Sequence, residues 1–251
     1  MIIRTIIFNI LFLLIFTNLI LAEEENILRI IQNTEDKFRL INDYEVKMSI
    51  SVSIPAFRMP KKKYHVFFKQ PNKIKIKSKG FGVLPRTGMF TSPKGNFDNL
   101  TDMEINHHAE NLEENSIMLV GNLIVDSLSI DMPNDYAKLT FKPTVDVVVD
   151  TSMWVITGVT TKIDTIKIME IHNKYGLVNN KYFLPIESKV EYFVKDARFT
   201  KWIKKDVGVL MGNKQNVKGD MVKGNITVSY KDYKVNQGTV SYTHLTLPPK
   251  A

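Results

Sequence analysis

Catalysis in proteins needs reactive side chains at particular spacings, and this 251-residue sequence offers few of them. It contains no cysteine, which excludes a thiol nucleophile, a disulfide, a Cys-ligated zinc ion and a lipid-modified N-terminal cysteine. Neither a glycine-rich phosphate loop nor a serine-centred nucleophile elbow occurs in it. The sequence therefore predicts neither an enzyme nor a bound cofactor.

The histidines come nearest to a metal site. His107 and His108 lie between Glu104 and Glu110, and both residue types can ligate a metal ion. Adjacent side chains point in different directions on a helix or a strand, so this pair is unsuited to holding one ion together. We expect no metal site and interpret the segment as a solvated loop.

The apolar residues are more informative, because their spacing identifies the elements. From Tyr44 to Ile54 they alternate with polar residues, which predicts a strand with one buried face. Apolar residues recur at helical spacing from Glu24 to Ile41, which predicts a helix before that strand. Further strands are predicted over Tyr64–Phe68, Lys73–Lys79, Ala137–Phe141, Val145–Val149, Met153–Val159, Ile163–Ile171, Lys181–Leu184, Ser188–Val194 and Asn225–Tyr230.

Two segments are ambiguous. Between Asn106 and Ile130 the apolar spacing favours one or two short helices, whereas Asp196 to Leu210 fits a strand or a helix. No internal repeat and no linker rich in proline or serine divides the chain, so a single domain is predicted. Antiparallel strands with short turns, and helices at the front and in the middle, predict an α+β fold with a strongly curved sheet or an incomplete barrel.

Both ends of the chain differ in character from this domain. Residues 1–22 combine a positive start, a short apolar run and a small final residue, which is typical of a cleaved signal peptide. An uncleaved membrane anchor is the alternative. At the other end, Val240 to Pro248 can be back-translated into a string that resembles an adapter used in sequencing-library preparation. We expect residues 23–239 to be the domain, truncated at its C-terminus, and residues 240–251 to be an artefact; a genuine frayed terminus is the alternative.

The formal net charge of +8 favours an anionic partner. Because a signal peptide would export the protein, we expect lipid headgroups or a membrane surface rather than nucleic acid. A basic run at Lys61–Lys63 follows Arg58. It is either a solvated hairpin turn or an edge that meets acidic partners or headgroups.

Many apolar residues are long or flexible, and some lie among glycines and prolines, where no regular sheet face needs filling. They are either ordinary core or the wall of a lipid-binding cavity enclosed by the curved sheet and the helices. In the second case we expect the loop from Gly80 to Phe90 to fold over the barrel mouth and move aside for a lipid chain. The candidate cavity residues are Val46, Met48, Ile50, Val66, Phe68, Ile74, Ile76, Phe81, Leu84, Met89, Phe90 and Tyr192.

The segment from Ile54 to Gly88 carries the most specific pattern. Its centre is the string FKQPN at residues 68–72, followed by Ile74 and Ile76 in alternation with lysines. This succession of a strand, a basic residue, proline, asparagine and a second strand resembles the LolA-like outer-membrane lipoprotein-sorting proteins. The order of the other predicted elements is similar to theirs as well.

The resemblance implies an unclosed antiparallel β-barrel lidded by α-helices. It implies that a monomeric carrier holds the acyl chains of a lipoprotein, or another lipid, in the hollow and crosses the periplasm toward the outer membrane. It also implies an ABC transporter as the donor in the inner membrane and an acceptor at the outer membrane. The better-known carriers have an arginine immediately before the motif proline, where this chain has Gln70, and Lys69 faces the opposite side of the strand.

Two other functions compete with a carrier. An envelope-stress sensor or regulator on the same scaffold would bind a protein partner, but it normally has a second domain, which this sequence does not show. An exported hydrolase would need a nucleophile and a neighbouring base, and the sequence offers no such pair.

Overall fold

The structure is a computed structural model that describes residues 23–54, 57–58, 60–71, 73–78, 92–124, 143–194 and 222–238. The predicted signal peptide and the tail from residue 240 lie outside these ranges. So do the loop from Gly80 to Phe90, the predicted strand Ala137–Phe141 and the segment Asp196–Leu210.

The described chain contains one α-helix, one short 3-10 helix and eleven strands. Helix α1 covers residues 23–39, and the 3-10 helix covers Pro93–Asn96. The strands are β1 Asp43–Ile54, β2 Phe57–Arg58, β3 Lys62–Lys69, β4 Lys73–Ser78, β5 Leu100–Ile105, β6 Ser116–Leu123, β7 Pro143–Asp150, β8 Val155–Ile163, β9 Ile166–Val178, β10 Tyr182–Val194 and β11 Val222–Val235. The helix lacks the length and the apolar character needed to cross a bilayer.

Strand β1 confirms the prediction made from the alternation between Tyr44 and Ile54. Its residues Val46, Met48 and Ile50 are buried, whereas Lys47 is exposed. The two sets separate because successive side chains of a strand point to opposite faces. β1 pairs with β3 on one side and with β11 on the other, both antiparallel.

The strands form one antiparallel sheet in the order β4-β3-β1-β11-β10-β9-β8-β7-β6-β5, with β2 paired to β1. β4 and β5 are its edges, so the described sheet is not closed. Bulges interrupt five of the pairings, and bulges bend and twist a sheet. The predicted α+β fold with an unclosed antiparallel sheet is confirmed.

Helix α1 packs across one face of this sheet. Its Ile27 and Ile30 join a core cluster with Leu119 and Val147 of strands β6 and β7. At its other end, Phe38 packs against a second cluster that is built on β1, β3, β10 and β11. The helix therefore bridges the two halves of the open sheet, and its amphipathic spacing provides the stripe that does so.

The middle of the chain corrects one prediction. Residues 116–123 form strand β6, where one or two short helices were expected. Ile117 and Leu119 lie on one face of β6, and Met118 and Val120 lie on the other, so both faces are apolar and no alternation shows. Pairing with β5 on one side and β7 on the other then decides the conformation.

Strand boundaries in the second half also differ from those predicted. The predicted strands Lys181–Leu184 and Ser188–Val194 are one strand, β10, with a bulge between Pro185 and Glu187. Proline has no backbone N–H to donate to a neighbouring strand, so Pro185 indicates the end of a strand in the sequence. In the structure a bulge accommodates this proline within β10. β8 and β9 extend further along the chain than predicted and meet at Asp164, whose φ is 53°.

Candidate functional site

A cavity of about 160 Å³ lies between the last turns of α1 and strands β8 to β10. Val159, Ile171 and Val190 are cross-strand neighbours and form a row of β-branched side chains along its floor. The other lining residues are Thr34, Lys37, Phe38, Leu40, Ile41, Tyr44, Pro93, Asn96, Met153, Trp154, Val155, Ile156, Asn173, Tyr175, Lys181, Tyr182, Phe183, Leu184, Pro185 and Ser188.

The roof of the cavity is the C-terminal half of α1. Phe38 reaches down to Phe68 of β3, with ring centroids 5.6 Å apart and the rings tilted by 55°. Thr34, one turn earlier, is fully buried, and its hydroxyl donates to the Ile31 carbonyl at 2.7 Å. The roof therefore presents hydrocarbon and a hydroxyl that is already hydrogen-bonded.

Asn236, just after β11, holds the end of α1 in place. Its Oδ1 accepts from the backbone N–H groups of Asn42 and Asp43 at 2.7 and 3.2 Å. Its Nδ2 donates to the Leu40 carbonyl at 2.8 Å and to the Tyr182 hydroxyl at 2.9 Å. These bonds occupy a carbonyl at the helix end, which has no partner within the helix, and they link it to β10.

A second polar contact fixes the side of the cavity. The carboxylate of Glu35 is buried, and the Ser92 hydroxyl donates to it. Ser92 immediately precedes the 3-10 helix, whose Pro93 and Asn96 line the cavity. The contact therefore ties α1 to the segment beside the cavity.

Several polar groups of the cavity wall are hydrogen-bonded within the chain. The Tyr175 hydroxyl and the Asn173 Nδ2 both donate to the Ile156 carbonyl, each at 3.1 Å. Burial raises the pKa of Tyr175 far above its ordinary value, and burial does the same for Tyr44. Both tyrosines therefore stay protonated at neutral pH.

The charged residues of the lining are two lysines. Lys37 and Lys181 are both exposed, and no described carboxylate belongs to the lining. The Lys181 Nζ lies 5.2 Å from the centre of the Tyr182 ring. The cavity therefore combines an apolar interior with positive charge at its exposed side.

The residues predicted to bind lipid lie mostly beside this cavity rather than on its wall. The described strand residues among them pack into or against the cluster of β1, β3, β10 and β11, and none lines the cavity. Five are fully buried: Val46, Met48, Ile50, Val66 and Phe68. Tyr192 is buried in the same cluster, and Ile74 and Ile76 are half-buried against it. Phe81, Leu84, Met89 and Phe90 lie outside the described residues.

Several cavity residues were missed at the sequence level. Met153 and Trp154 were assigned to a strand, but they lie in the turn before β8, where Trp154 has a φ of 54°. A tryptophan in a turn does not fill a sheet face. The turn residues Asp150, Thr151 and Ser152 just before it were therefore the sequence signal that Trp154 packs elsewhere. Tyr175 and Tyr182 gave no signal, because their place on the wall depends on pairing between β9 and β10.

The described part of the motif, residues 68–71, covers the end of β3 and the turn after it, next to the end of α1. The Gln70 backbone N–H donates to the Asn42 carbonyl at 2.8 Å, and its Nε2 donates to the Phe38 carbonyl at 3.4 Å. Gln70, at the position of the carriers' arginine, thus contacts the roof helix. Phe68 stacks on Tyr44, with ring centroids 4.9 Å apart.

Within the described ranges, one group of three side chains could ligate a metal ion, and it lies on the face of the sheet away from the cavity. Ligand atoms of Glu170, His172 and Glu191 all lie within 4.8 Å of one another. Lys167 already pairs with Glu170 at 2.6 Å, and Lys189 pairs with Glu191 at 3.0 Å. Partial burial acts against ionisation, but the hydrogen bond and charge of Lys167 hold the pKa of Glu170 below its ordinary value. We interpret this group as an ion-pair network.

No protein-family model and no curated protein matches this sequence. Three solved structures are similar to it in fold. The first is a domain named for outer membrane lipoprotein sorting from Vibrio parahaemolyticus, with 7% identity, a TM-score of 0.46, and coverage of 83% of this chain and 92% of that one. The second is a DUF1329 family protein from Desulfovibrio piger, with 6% identity, a TM-score of 0.47, and coverage of 87% and 98%.

The third similar structure is a LolA superfamily protein from Nitrosomonas europaea. It shares 9% identity and a TM-score of 0.40, over 82% of this chain and 92% of that one. The first and third of these names belong to the family that segment 54–88 resembles.

Proposed function

We propose that this protein binds an acyl chain of a lipid or a lipoprotein in the cavity under α1 and carries it without changing it chemically. The observation that supports the proposal is the composition of the cavity. Its floor is a row of β-branched side chains, the hydroxyls of Thr34, Tyr175 and Tyr182 are hydrogen-bonded within the chain, and its charges are two exposed lysines. Such a site suits a chain with an anionic end.

The volume of the cavity requires the roof to move. Sites for small-molecule ligands typically measure about 300–1,000 Å³, and this cavity measures about 160 Å³. Within the described residues, α1 is held in place by side-chain packing on the sheet, by Asn236 and by the bond from Ser92 to Glu35. Each methylene group buried by a ligand contributes about 0.8 kcal/mol, so a long chain would offset the loss of the contact between Phe38 and Phe68.

The proposed setting is the periplasm of a cell with a Gram-negative type of envelope. The predicted signal peptide and the resemblance of segment 54–88 support it. On this proposal the cargo is the acyl part of a lipoprotein bound for the outer membrane. An inner-membrane ABC transporter would supply it, and an outer-membrane acceptor would receive it.

Fluorescent fatty-acid binding to two matched tryptophan variants tests the cavity. Val159→Trp places a large side chain on the cavity floor, whereas Ile186→Trp changes a residue that is 45% exposed. We expect the first variant to lose most of its binding and the second to bind like the wild type. Equal binding by both, with circular dichroism showing intact strands, would contradict the proposal.

Charge reversal at the two lysines tests the orientation of the ligand without changing the core. Lys37→Glu with Lys181→Glu should weaken binding of a fatty acid, because each glutamate repels the carboxylate. Binding of the matching fatty alcohol should change little, since it has no charge. An equal effect on the two ligands would mean that the lysines do not contact the chain end. If neither ligand binds the wild type, a regulator with a protein partner becomes the better hypothesis.

A further inference from the structure

The outer face of the sheet carries a concentration of lysines at its β4 edge. Register places the odd-numbered residues of β1, β3 and β4 side by side on this face: Lys47 lies opposite His65, and His65 lies opposite Lys77. We call this surface, with the adjoining part of β11, the basic face. Its lysines are Lys47, Lys63, Lys69, Lys73, Lys75, Lys77, Lys231 and Lys234.

Two of the acidic groups on the basic face are already paired. Glu45 contacts His65 at 2.6 Å and Lys234 at 3.3 Å. Asp232 contacts Lys47 at 3.0 Å. The third carboxylate in this register, Asp43 on β1, is buried. The face therefore keeps a large positive excess.

Three lysines account for much of the excess. Among the residues that the structure describes, no carboxylate pairs with Lys63, Lys75 or Lys77. Lysines on an edge strand also prevent edge-to-edge aggregation, which would explain Lys75 and Lys77. Lys63 needs another explanation, because β3 is not an edge strand of the sheet.

An aromatic side chain lies at the centre of the basic face. Phe67 is half-buried, with Lys75 opposite it on β4 and Glu45 opposite it on β1. The His65 ring is 4.4 Å from the Phe67 ring, and the Lys77 Nζ is 5.2 Å from its centre. An apolar ring surrounded by lysines is the combination that binds to the headgroup region of a membrane.

We propose that the basic face docks on an anionic phospholipid bilayer. A bilayer presents negative charge over a wide flat area, which matches lysines spread along neighbouring strands. Lysine is a compact point charge on a flexible stem, so it suits diffuse attraction better than bidentate recognition of one group. This inference goes beyond the proposed cavity and does not depend on it, because the two lie on opposite faces of the sheet.

Co-sedimentation with phosphatidylglycerol vesicles at low ionic strength tests the proposal. The wild type should sediment with them, should stay in solution with phosphatidylcholine vesicles, and should be released by salt. The triple variant Lys63→Gln, Lys75→Gln, Lys77→Gln should bind on the order of 100-fold more weakly, at about fivefold per lysine.

A matched triple variant controls for the loss of net charge. Arg29→Gln, Arg39→Gln, Lys94→Gln removes the same charge from exposed residues of α1 and the 3-10 helix, which lie on the cavity side of the sheet. It should sediment almost like the wild type. No sedimentation of the wild type, or an equal loss in the two triple variants, would overturn the proposal. Fatty-acid binding should be unchanged in both, which separates this test from that of the cavity.

Discussion

At the scale of single residues, Asn236 connects parts of the chain that are far apart in sequence. Its φ of 56° lies in the left-handed region, where asparagine is among the better-tolerated residues. This backbone conformation aims the side chain at both ends of the link between α1 and β1. One amide thereby holds the C-terminal end of the roof helix, while Glu35 and Glu23 accept hydrogen bonds from Ser92 and Ile105 further along α1.

Removal of this amide should loosen the roof. We expect Asn236→Ala to lower the free energy of unfolding by about 2–3 kcal/mol, because it removes two donor bonds and two acceptor bonds. Asn236→Asp keeps the acceptor oxygen and should lose about half as much. Chemical denaturation of the three proteins measures the difference. Equal stability of the aspartate and alanine variants would show that the bonds donated to Asn236 contribute nothing.

Glu45 predicts a pH dependence of stability. Burial acts to raise its pKa, but the hydrogen bonds from Lys234 and His65 outweigh it and hold the pKa below the ordinary 4.5. The lowered pKa adds stability that is fully present above 4.5 and is lost as the pH falls through the folded-state value. Glu45→Gln should therefore be less stable than the wild type at about pH 7 and approach it at about pH 3.

The control for this titration is Glu24→Gln, since Glu24 is exposed on α1. Unfolding curves of both variants and the wild type are measured across the acid range. If Glu45→Gln also keeps a constant difference over that range, the ion pairs of Glu45 do not contribute to stability.

At the scale of elements, α1 is the part whose role follows most directly from its sequence pattern. Helical spacing of apolar residues predicts a buried stripe, and Ile27, Ile30 and Phe38 are the residues that pack on the sheet. The sequence could not show which strands the stripe would meet. That depends on the order β4-β3-β1-β11, which joins strands from opposite ends of the described chain.

The packing of α1 can be tested with a pair of truncations. Phe38→Ala should lower the free energy of unfolding by about 1–2 kcal/mol, because a half-buried aromatic ring loses its contact with Phe68. Leu28→Ala changes a residue on the other side of the helix that is 65% exposed, and its effect should stay within about 0.5 kcal/mol. Thermal unfolding measures both. Similar losses in the two variants would mean that α1 does not dock by the observed face.

At the scale of the whole molecule, the sequence allowed the fold to be predicted better than the site. The alternation in β1 predicts a strand with one buried face, because its other face is polar. β6 is apolar on both faces, so its sequence shows no alternation and suggests a helix instead. Long apolar residues such as Met48 and Phe68 were cavity candidates, but Tyr44 and Phe38 fill the space around Phe68. The cavity forms instead where α1 crosses strands more than a hundred residues later, which local patterns cannot reveal.

Quenching of Trp154 by a brominated fatty acid tests the central claim most directly, because Trp154 lines the cavity. The chain has two tryptophans, so Trp202→Phe leaves Trp154 as the reporter. We expect saturable quenching with one chain bound per protein, and weaker quenching when Val159→Phe narrows the floor. Tight binding of the fatty acid without any quenching of Trp154 would place the ligand elsewhere and contradict the account.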